Sequence, residues 1–327
     1  MALRLCLIWL VLFPLFGFAQ EEDASLLIVE LNTENLFDTT HDSLKNDYDF
    51  LPDGNYHWSR HRYWQKVNRI GQTIIACGDG PKWRLPDLVA LCEVENDSVL
   101  MAITKRSLLR KARYEYIMTH SPDERGIDVA LLYSPFSFAP VGSQSIRIIP
   151  VAGMKPTRDI LYVKGRVITG DTLHVFVVHA PSRSGGEAQS RPYRLHVATA
   201  LANAIDSVYS SSPEAKVIVT GDFNDYSNSP SLQLLYAHGL KNVSSEAKGH
   251  NGAKATYRYH GEWRSLDQML VSRNLKDNVA ECWIGDYPFL LEPDEKYGGV
   301  KPHRNYYGPR YNNGFSDHLP LIMELSL

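Results

Sequence analysis

Short apolar runs rich in valine, isoleucine and leucine recur along the chain, and this recurrence constrains the fold more than any other feature. The runs typical of β-strands are residues 26–31, 87–92, 128–133, 160–168, 173–178, 216–220, 266–271 and 319–324. Helical spacing occurs in residues 60–76, 97–110, 188–209 and 229–238. Because strands outnumber helices, the pattern favours an α+β fold with two packed, mainly antiparallel β-sheets flanked by helices, rather than a doubly wound parallel sheet.

The first 20 residues have the pattern of a signal peptide. Arg4 precedes the apolar run 5–16, and small residues follow at 17–19. A helix buried against a soluble domain is the alternative interpretation of this segment. The apolar run is too short for a stable membrane anchor, and no later segment is apolar for long enough to span a bilayer. We therefore expect an exported protein, periplasmic or extracellular, with a signal peptide followed by one domain over residues 21–327.

The net charge and the cysteines of the chain limit which ligands and cross-links are expected. The formal net charge of −3 gives no global attraction to nucleic acid or anionic membranes, so contacts with polyanions require local basic patches. Cys77, Cys92 and Cys282 remain after the signal segment, and their odd number and irregular spacing predict neither a zinc site nor a disulfide framework. Nothing in the sequence indicates an obligate protein partner.

A carboxylate and an amide follow the apolar run 216–220 in the motif Gly221-Asp222-Phe223-Asn224. Sites are commonly built at the carboxyl ends of strands. There, a carboxylate can accept a proton from water while the neighbouring amide holds the reacting group. The alternative is an ordinary turn, because Gly, Asp and Asn are all favoured in turns.

A second carboxylate, Asp267, interrupts an otherwise apolar strand, and such a group usually needs a partner. The segment Ser316-Asp317-His318 near the C-terminus offers one. We expect His318 to be this partner, with Asp267 fixing the tautomer of the imidazole and stabilising its cation. The adjacent Asp317 can supply a metal ligand.

Polar side chains also end three further apolar runs. Glu93 follows one of them, Asn32 and Glu34 follow another, and His179 ends a third. Carboxylate and amide oxygens without clustered cysteine or histidine indicate Mg²⁺, with Mn²⁺ or Ca²⁺ as alternatives, rather than zinc. Considered alone, His179 has the alternative interpretation of a structural histidine at a strand end.

In this order, these motifs resemble those of the endonuclease/exonuclease/phosphatase superfamily, which contains pancreatic-type deoxyribonuclease, abasic-site endonucleases, neutral sphingomyelinases and inositol-polyphosphate 5-phosphatases. The matching motifs are Asn32-x-Glu34, Glu93, His179-x-Pro181, Gly221-Asp222-x-Asn224, Asp267 and Ser316-Asp317-His318. The resemblance spans nearly the whole mature chain, and the stretches 32–38 and 179–186 look like those of an exported bacterial branch. It implies one catalytic domain with the fold of a four-layer α/β sandwich.

The resemblance also implies a metal site. Glu93 corresponds to the principal ligand of a divalent cation. Asn32 and Asp317 correspond to positions near the ion, and Glu34 to a position in its outer shell.

The catalytic roles implied by the resemblance fall on five other positions. Asp222 would activate or orient the attacking water, and Asn224 would bind the scissile phosphate. His318, paired with Asp267, would contact a phosphate oxygen and stabilise charge as the bond breaks. His179 would act on the phosphate or the leaving oxygen. Which histidine is the general acid stays open.

Arginines could add contacts to phosphate, since the guanidinium group matches phosphate oxygens geometrically. Arg125 and Arg183 are the preferred candidates for substrate binding. Arg158 and Arg191 are further candidates, for which a solvated surface position is the stronger expectation.

The function predicted on these grounds is metal-dependent hydrolysis of phosphate esters. A phosphodiesterase acting on nucleic acid or nucleotides is favoured, and a phosphomonoesterase or a hydrolase of lipid or inositol phosphates is the alternative. A member of the family that binds a ligand without catalysis is a further alternative, although every expected acidic and imidazole position is occupied.

Overall fold

The computed structural model of the protein describes residues 24–80 and 82–327. The segment 1–20, for which a signal peptide is predicted, lies outside the described residues. Within the described ranges, no helix is both long and apolar enough to cross a membrane.

The described chain contains strands that are mostly short. In chain order they are β1 (Ser25–Leu36), β2 (Leu88–Val94), β3 (Glu115–Met118), β4 (Asp128–Tyr133), β5 (Phe138–Ile146), β6 (Ile160–Val167), β7 (Thr172–His179), β8 (Lys216–Asp222), β9 (Leu240–Asn242), β10 (Tyr257–Tyr259), β11 (Glu262–Arg264), β12 (Asp267–Ser272), β13 (Val279–Ile284), β14 (Leu291–Pro293), β15 (Val300–Pro302), β16 (Tyr306–Tyr307), β17 (Arg310–Tyr311) and β18 (Leu321–Ser326). The α-helices are α1 (Arg60–Ala76), α2 (Asp97–Met101), α3 (Glu187–Ser211) and α4 (Pro230–Ala237).

Two six-stranded sheets form the centre of the described fold. Their strand orders are β13-β18-β1-β2-β4-β3 and β5-β6-β7-β8-β12-β9. In both sheets most neighbours are antiparallel, and the parallel pairs are β1 with β2 and β7 with β8. The predicted architecture of two packed, mainly antiparallel sheets is therefore confirmed.

The sheets pack face to face, and each carries helices on its outer face. Alternate residues of β1 point to opposite sides: Leu26 and Ile28 belong to the core between the sheets, while Leu27 and Val29 belong to the core beneath α1. Helix α1 begins at the N-cap Ser59, and its apolar stripe packs on the first sheet. Helices α3 and α4 cover the second sheet in the same way. The result is the four-layer sandwich.

The two parallel pairs determine where the polar side chains meet. The carboxyl ends of β1, β2, β7 and β8 meet at one end of the packed sheets. His179 and Asp222 are the last residues of β7 and β8, Glu93 is the penultimate residue of β2, and Asn32 is the last residue of β1 before its pairing with β2 becomes irregular. Strand β12 runs antiparallel to β8 and begins at that end, because Asp267 is the register partner of Asp222. The sheet topology thus brings residues that are distant in sequence to one place.

Some local predictions differ from the structure. The predicted helix over residues 97–110 is divided into α2, a π-helical turn over Ala102–Arg106 and a 3-10 turn over Leu108–Lys111. Ser107 causes the break, because its backbone is extended and its hydroxyl accepts the N–H of Leu109. Residues 287–313, which are rich in Pro, Gly and Tyr, form a long connection, here called the excursion, and it contains the two small hairpins β14–β15 and β16–β17.

Candidate active site

A cleft of about 910 Å³ opens at the edge where the strand ends meet. Glu93, His179, Asp222 and His318 all line it. Side chains from both sheets therefore face one volume, which neither sheet could supply alone.

His318 and Asp267 form a hydrogen-bonded pair in this cleft. Nδ1 of His318 lies 2.7 Å from Oδ2 of Asp267, and the same carboxylate accepts the hydroxyl of Thr256. Burial alone would lower the pKa of His318, but the Asp267 carboxylate more than offsets this and holds that pKa well above its ordinary value. His318 is therefore an imidazolium whose Nδ1–H is directed at Asp267, which leaves Nε2–H for a group in the cleft.

Asp222 is buried and is held by two donors. Its Oδ1 accepts the backbone N–H of Asn224 at 2.8 Å, and its Oδ2 accepts the side-chain amide of Asn32 at 3.1 Å. Burial raises the pKa of Asp222 to about 7, and the neighbouring Asp267 carboxylate acts in the same direction. A carboxylate with a pKa near neutrality is suited to accept a proton at physiological pH.

His179 lies between the two sheets, and its pKa is shifted in the opposite direction from that of His318. Its Nε2 is 3.6 Å from Oδ2 of Asp222 and 3.8 Å from Oε1 of Glu93. Its Nδ1 is buried without a hydrogen-bond partner among the described residues. Burial lowers the pKa of His179 well below its usual value, and the guanidinium groups of Arg158 and Arg125 lower it further. His179 is therefore a neutral imidazole at neutral pH.

Backbone strain is concentrated at the same strand ends. Glu34, Asn35, Glu93 and Asn224 have φ angles of 53°, 53°, 63° and 50°, in the left-handed region that side chains other than glycine rarely adopt. Local contacts hold these conformations: the N–H of Asn35 donates to Oε2 of Glu93 at 2.8 Å. Such strain is found where a fold must aim particular side chains, as here into the cleft.

Glu93 presents to the cleft carboxylate oxygens, the type of ligand that hard divalent cations prefer. One oxygen of Glu93 accepts the N–H of Asn35, while the other is left facing His179 at 3.8 Å.

Asn32 and Asp317 line the same cleft, and their amide and carboxylate oxygens are of the type that Mg²⁺ prefers over nitrogen or sulfur. The amide oxygen of Asn32 already accepts the N–H of Glu34 at 2.9 Å, and one oxygen of Asp317 accepts from Arg304 at 3.1 Å, so each has a further lone pair or oxygen for a ligand.

Asp222, Asp267 and His318 form a second group of candidate ligands. Each offers one possible ligand atom, and these three atoms lie within 4.8 Å of one another. Because Asp267 is already hydrogen-bonded to His318 and Thr256, this group is better suited to proton transfer than to binding a metal ion.

Glu34 is engaged by the backbone of the excursion. Its carboxylate accepts the N–H groups of Asn305 at 2.6 Å and of Tyr306 at 3.2 Å. Arg304 bridges it to Asp317, since its Nε is 3.5 Å from Glu34 and its second terminal nitrogen is 3.1 Å from Asp317. Burial raises the pKa of Glu34 to about 7, and Asp317 acts in the same direction. The carboxylate of Glu34 thus ties the excursion to the end of β1.

Helix α1 contributes two cations that hold the segment before His318. Nζ of the buried Lys66 donates to the carbonyl of Phe315 at 2.5 Å, and Arg69 donates to the carbonyls of Asn313 and Gly314. Burial lowers the pKa of Lys66 to about 8, although the nearby Glu34 opposes this shift. These contacts position the Ser316-Asp317-His318 segment from outside the cleft.

The two arginines predicted to bind substrate line the cleft but differ in their partners. Arg125 donates to Oδ1 of Asn35 at 3.3 Å, lies 3.9 Å from the carboxylate of Asp123 and remains about half exposed. Arg183 is paired with Glu187 at 2.5 Å and with Asp225 at 3.3 Å. Arg125 is consequently the freer of the two for a phosphate group.

The expected surface position of Arg158 is wrong. Its side chain is only 7% exposed, donates to Asp123 at 3.1 Å and to the carbonyl of Ala180 at 2.7 Å, and lines the cleft. The acidic partner Asp123 makes this burial possible, because a buried charge needs an opposite charge and hydrogen bonds. Arg191, by contrast, is half exposed and pairs with Glu187 on α3.

Tyr257 lines the cleft and Lys66 holds the segment before His318, but neither was among the predicted residues. The ring of Tyr257 lies against that of His318, with centroids 4.8 Å apart. Alternation of Tyr257 with Tyr259 just before Asp267 is the signal that could have indicated a strand beside the site. The spacing of apolar residues in α1 places Lys66 on the buried face of the helix. Nothing in the sequence around Lys66 indicates that its ammonium group binds the distant carbonyl of Phe315.

A family model described as "Endonuclease/Exonuclease/phosphatase family" matches residues 27–327. No curated protein matches the chain.

Solved structures share the fold at low identity. An endonuclease/exonuclease/phosphatase family protein from Bacteroides thetaiotaomicron is 17% identical over 92% of this chain and 98% of that chain, with a TM-score of 0.62. A mannosyl-6-phosphatase from the same organism is 17% identical over 92% of this chain and 100% of that chain, with a TM-score of 0.61. TDP2 from Caenorhabditis elegans is 14% identical over 93% of this chain and 75% of that chain, with a TM-score of 0.57. At such identities the likeness shows the fold alone.

Proposed function

The chain belongs to the endonuclease/exonuclease/phosphatase family of phosphoesterases, as the match over residues 27–327 establishes, and from this premise we propose that it is an exported, Mg²⁺-dependent phosphodiesterase acting on nucleic acid or nucleotides. The observation that carries the proposal is the convergence of Glu93, His179, Asp222 and His318 on one cleft from both sheets. Hydrolysis of a phosphodiester requires neutralised charge, a placed water and a stabilised leaving oxygen.

Asp222 is the proposed proton acceptor. Its two oxygens are oriented by Asn224 and Asn32, so that the carboxylate is held rigidly before substrate arrives. With a pKa of about 7, it exists partly as the carboxylate near neutral pH and can take a proton from the attacking water. The side chain of Asn224, whose amide nitrogen donates to the carbonyl of Ala180 at 3.2 Å, keeps its oxygen and second N–H available to orient a ligand.

His318 is the proposed cationic contact to the phosphate. Its positive charge is stabilised by Asp267, and its free Nε2–H can donate to a phosphoryl oxygen on which negative charge develops. His179 is neutral and can hold the leaving oxygen or the attacking water with a single N–H. Arg125 and Arg158 also line the cleft and add positive charge near His179.

A divalent cation held by Glu93, Asn32 and Asp317 would supply Lewis-acid polarisation of the phosphate and charge neutralisation. The oxygen-only donor set supports Mg²⁺, with Mn²⁺ and Ca²⁺ as substitutes. Glu34 is proposed to lie in the outer shell of the ion, because Arg304 contacts both Glu34 and the proposed ligand Asp317.

A chromogenic diester tests the proposal. We expect turnover of bis-p-nitrophenyl phosphate by the wild-type protein with Mg²⁺, loss of turnover in EDTA, and loss of turnover in the folded Asp222→Asn variant. Purified, folded protein that is inert with Mg²⁺, Mn²⁺ and Ca²⁺ would instead identify a ligand-binding member without catalysis.

Monoester hydrolysis is the second candidate, favoured by the shared fold of the mannosyl-6-phosphatase. A panel containing single-stranded DNA, RNA, nucleoside monophosphates, hexose phosphates, inositol phosphates and sphingomyelin separates the candidates. Turnover of monoesters alone would refute the phosphodiesterase.

Export is proposed from residues 1–20. Expression of the full chain in a bacterial host, followed by fractionation and N-terminal sequencing, tests it. We expect a mature protein that begins near residue 21 and is found in the periplasm or the medium, while retention of the intact N-terminus in the cytoplasm would exclude export.

A further inference from the structure

The hairpin β10–β11 brings an arginine to the cleft close to His318. Tyr257 pairs across the hairpin with Arg264, and on its other side it forms an isolated antiparallel bridge with His318. Directly opposed residues of antiparallel strands project to the same face, and all three side chains line the cleft. Because neighbouring strands are about 4.8 Å apart, the backbones of His318 and Arg264 are separated by roughly 10 Å. Arg264 therefore lies two strand spacings from the proposed cationic contact to the phosphate.

Arg264 differs from the other arginines of the cleft in its partners. Arg125, Arg158 and Arg183 each donate hydrogen bonds within the protein. Arg264 donates none to the residues that the structure describes, and its buried Nε has no hydrogen-bond partner among them. Its ion pair is with the exposed Glu262 at 3.6 Å, and an exposed pair contributes little to stability. Arg264 thus keeps the N–H donors that the other three arginines have already used.

An aromatic ring holds the guanidinium group of Arg264 in place. Its central carbon is 5.0 Å from the ring centroid of Tyr259, and this ring in turn stacks on His260 with centroids 4.0 Å apart. Contact with a ring face attracts a guanidinium group without accepting its N–H groups in hydrogen bonds. The side chain of Arg264 is 27% exposed, so a ligand from solvent can reach it. The group is therefore oriented in advance for an anion that accepts two N–H groups at once.

We propose that Arg264 binds a second phosphate group of the substrate, joined through one sugar to the phosphate that is hydrolysed beside His318. The inference rests on the proposed function, because a nucleic acid strand carries one such phosphate in each nucleotide. Diesters with a single phosphate should consequently be poorer substrates than oligonucleotides, in which a further phosphate follows the one that is cleaved.

Binding of three phosphonate analogues tests this subsite without relying on turnover. They are the analogues of thymidine 3′,5′-bisphosphate and of the two thymidine monophosphates, in which carbon replaces each ester oxygen. Calorimetry with the full-length protein and Mg²⁺ should give a dissociation constant about 10- to 150-fold lower for the bisphosphonate than for the tighter monophosphonate. This range is the one expected for hydrogen bonds between charged groups at one added contact.

Variants of two arginines provide the comparison. Arg264→Gln should bring the ratio of the two dissociation constants close to one. The ratio is the quantity to compare, because damage to the cleft would weaken all three analogues alike. Arg310→Gln is a matched control, because Arg310 is also exposed and lies over a tyrosine ring in a small hairpin, 5.7 Å from the centroid of Tyr307, but does not line the cleft. This control should keep the wild-type ratio.

The outcomes separate the subsite from the proposed function. A wild-type ratio close to one, or an unchanged ratio in Arg264→Gln, would overturn the subsite even if the protein hydrolyses phosphodiesters. Equally tight binding of the bisphosphonate analogue of an inositol bisphosphate, also lost in Arg264→Gln, would overturn the assignment of the second phosphate to nucleic acid. A ratio that depends on Arg264, in a protein that hydrolyses no phosphate ester, would support the subsite and refute the proposed function.

Discussion

At the residue scale, the two cleft histidines have opposite protonation states for a clear structural reason. His318 donates to a carboxylate, whereas the buried Nδ1 of His179 has no partner in the described part of the chain and two guanidinium groups act on its ring. Groups whose environments push their pKa values apart usually divide the roles of acid and base. His318 is thus the proton-bearing member of the pair, and His179 the neutral one.

Asp267→Asn should shift the pH dependence of kcat. The carboxylate is what raises the pKa of His318, so its loss lowers that pKa and the imidazolium is lost at a lower pH. We expect the alkaline limb of the profile to move to lower pH and kcat near pH 8 to fall by about 10²- to 10³-fold. Asp206→Asn is the control, because Asp206 pairs with His238 at 2.9 Å on the surface of α3. An unshifted alkaline limb would contradict the role of Asp267.

The two glutamates predicted near the metal should respond differently to mutation. Glu34→Gln weakens the hydrogen bonds to Asn305 and Tyr306 and should cost about 1–3 kcal/mol of unfolding free energy, with faster proteolysis in residues 287–313. Glu93→Gln should instead raise the Mg²⁺ concentration needed for half-maximal activity and change stability little. Denaturant unfolding, limited proteolysis and Mg²⁺ titration measure these effects. A higher Mg²⁺ requirement in Glu34→Gln without faster proteolysis would make Glu34 primarily a metal-site residue.

At the scale of elements, the parallel pairing of β7 with β8 sets the position of Asp222. Gly221 is opposite Val178 in this pair and has a φ of 141°. A Cβ atom added at Gly221 would lie 1.9 Å from the carbonyl oxygen of Val178, which belongs to the ladder and cannot move aside. The glycine is therefore required by the close approach of the two strands.

Gly221→Ala should destabilise the protein by about 2–4 kcal/mol and lower kcat by displacing Asp222. Gly142→Ala, in strand β5 of the same sheet, is the control, because an added Cβ there meets no atom within 4 Å. Thermal unfolding and kcat measured on both variants test this. Wild-type stability in Gly221→Ala would show that the strand ends can separate without cost.

The elements that carry strand-end motifs could be predicted from sequence, because a polar residue after an apolar run marks both the strand and its end. The features that the sequence did not predict share a cause: each depends on contacts between residues that are far apart in the chain. Lys66 looks like any residue on the buried stripe of α1, and only the fold brings Phe315 to its ammonium group. The hairpins within residues 287–313 are two or three residues per strand, too short for periodicity to detect. The paired burial of Arg158 with Asp123 is likewise invisible until the strands are in place.

At the scale of the whole molecule, the cleft concentrates buried carboxyl groups, and their ionisation makes the stability of the fold depend on pH. Burial raises the pKa values of Glu34 and Asp222 to about 7. A carboxyl group whose pKa is raised on folding stabilises the protein below its unfolded pKa, and this stabilisation is lost as the pH rises through the folded pKa. The metal-free protein should therefore lose stability between about pH 4 and about pH 8.

Mg²⁺ should reverse this loss, and more strongly at higher pH. The cation binds deprotonated ligands and competes with protons at low pH, so the increase in Tm caused by Mg²⁺ should be larger at about pH 8 than at about pH 5.5. The comparison is kept at or below about pH 8 because the pKa of Lys66, lowered by burial to about 8, introduces an opposing effect above it. Differential scanning calorimetry at both pH values measures the increase, and Glu93→Gln should reduce it while keeping the pH dependence of the metal-free protein. Equal increases at the two pH values would mean that the cation binds away from the carboxylates of the cleft.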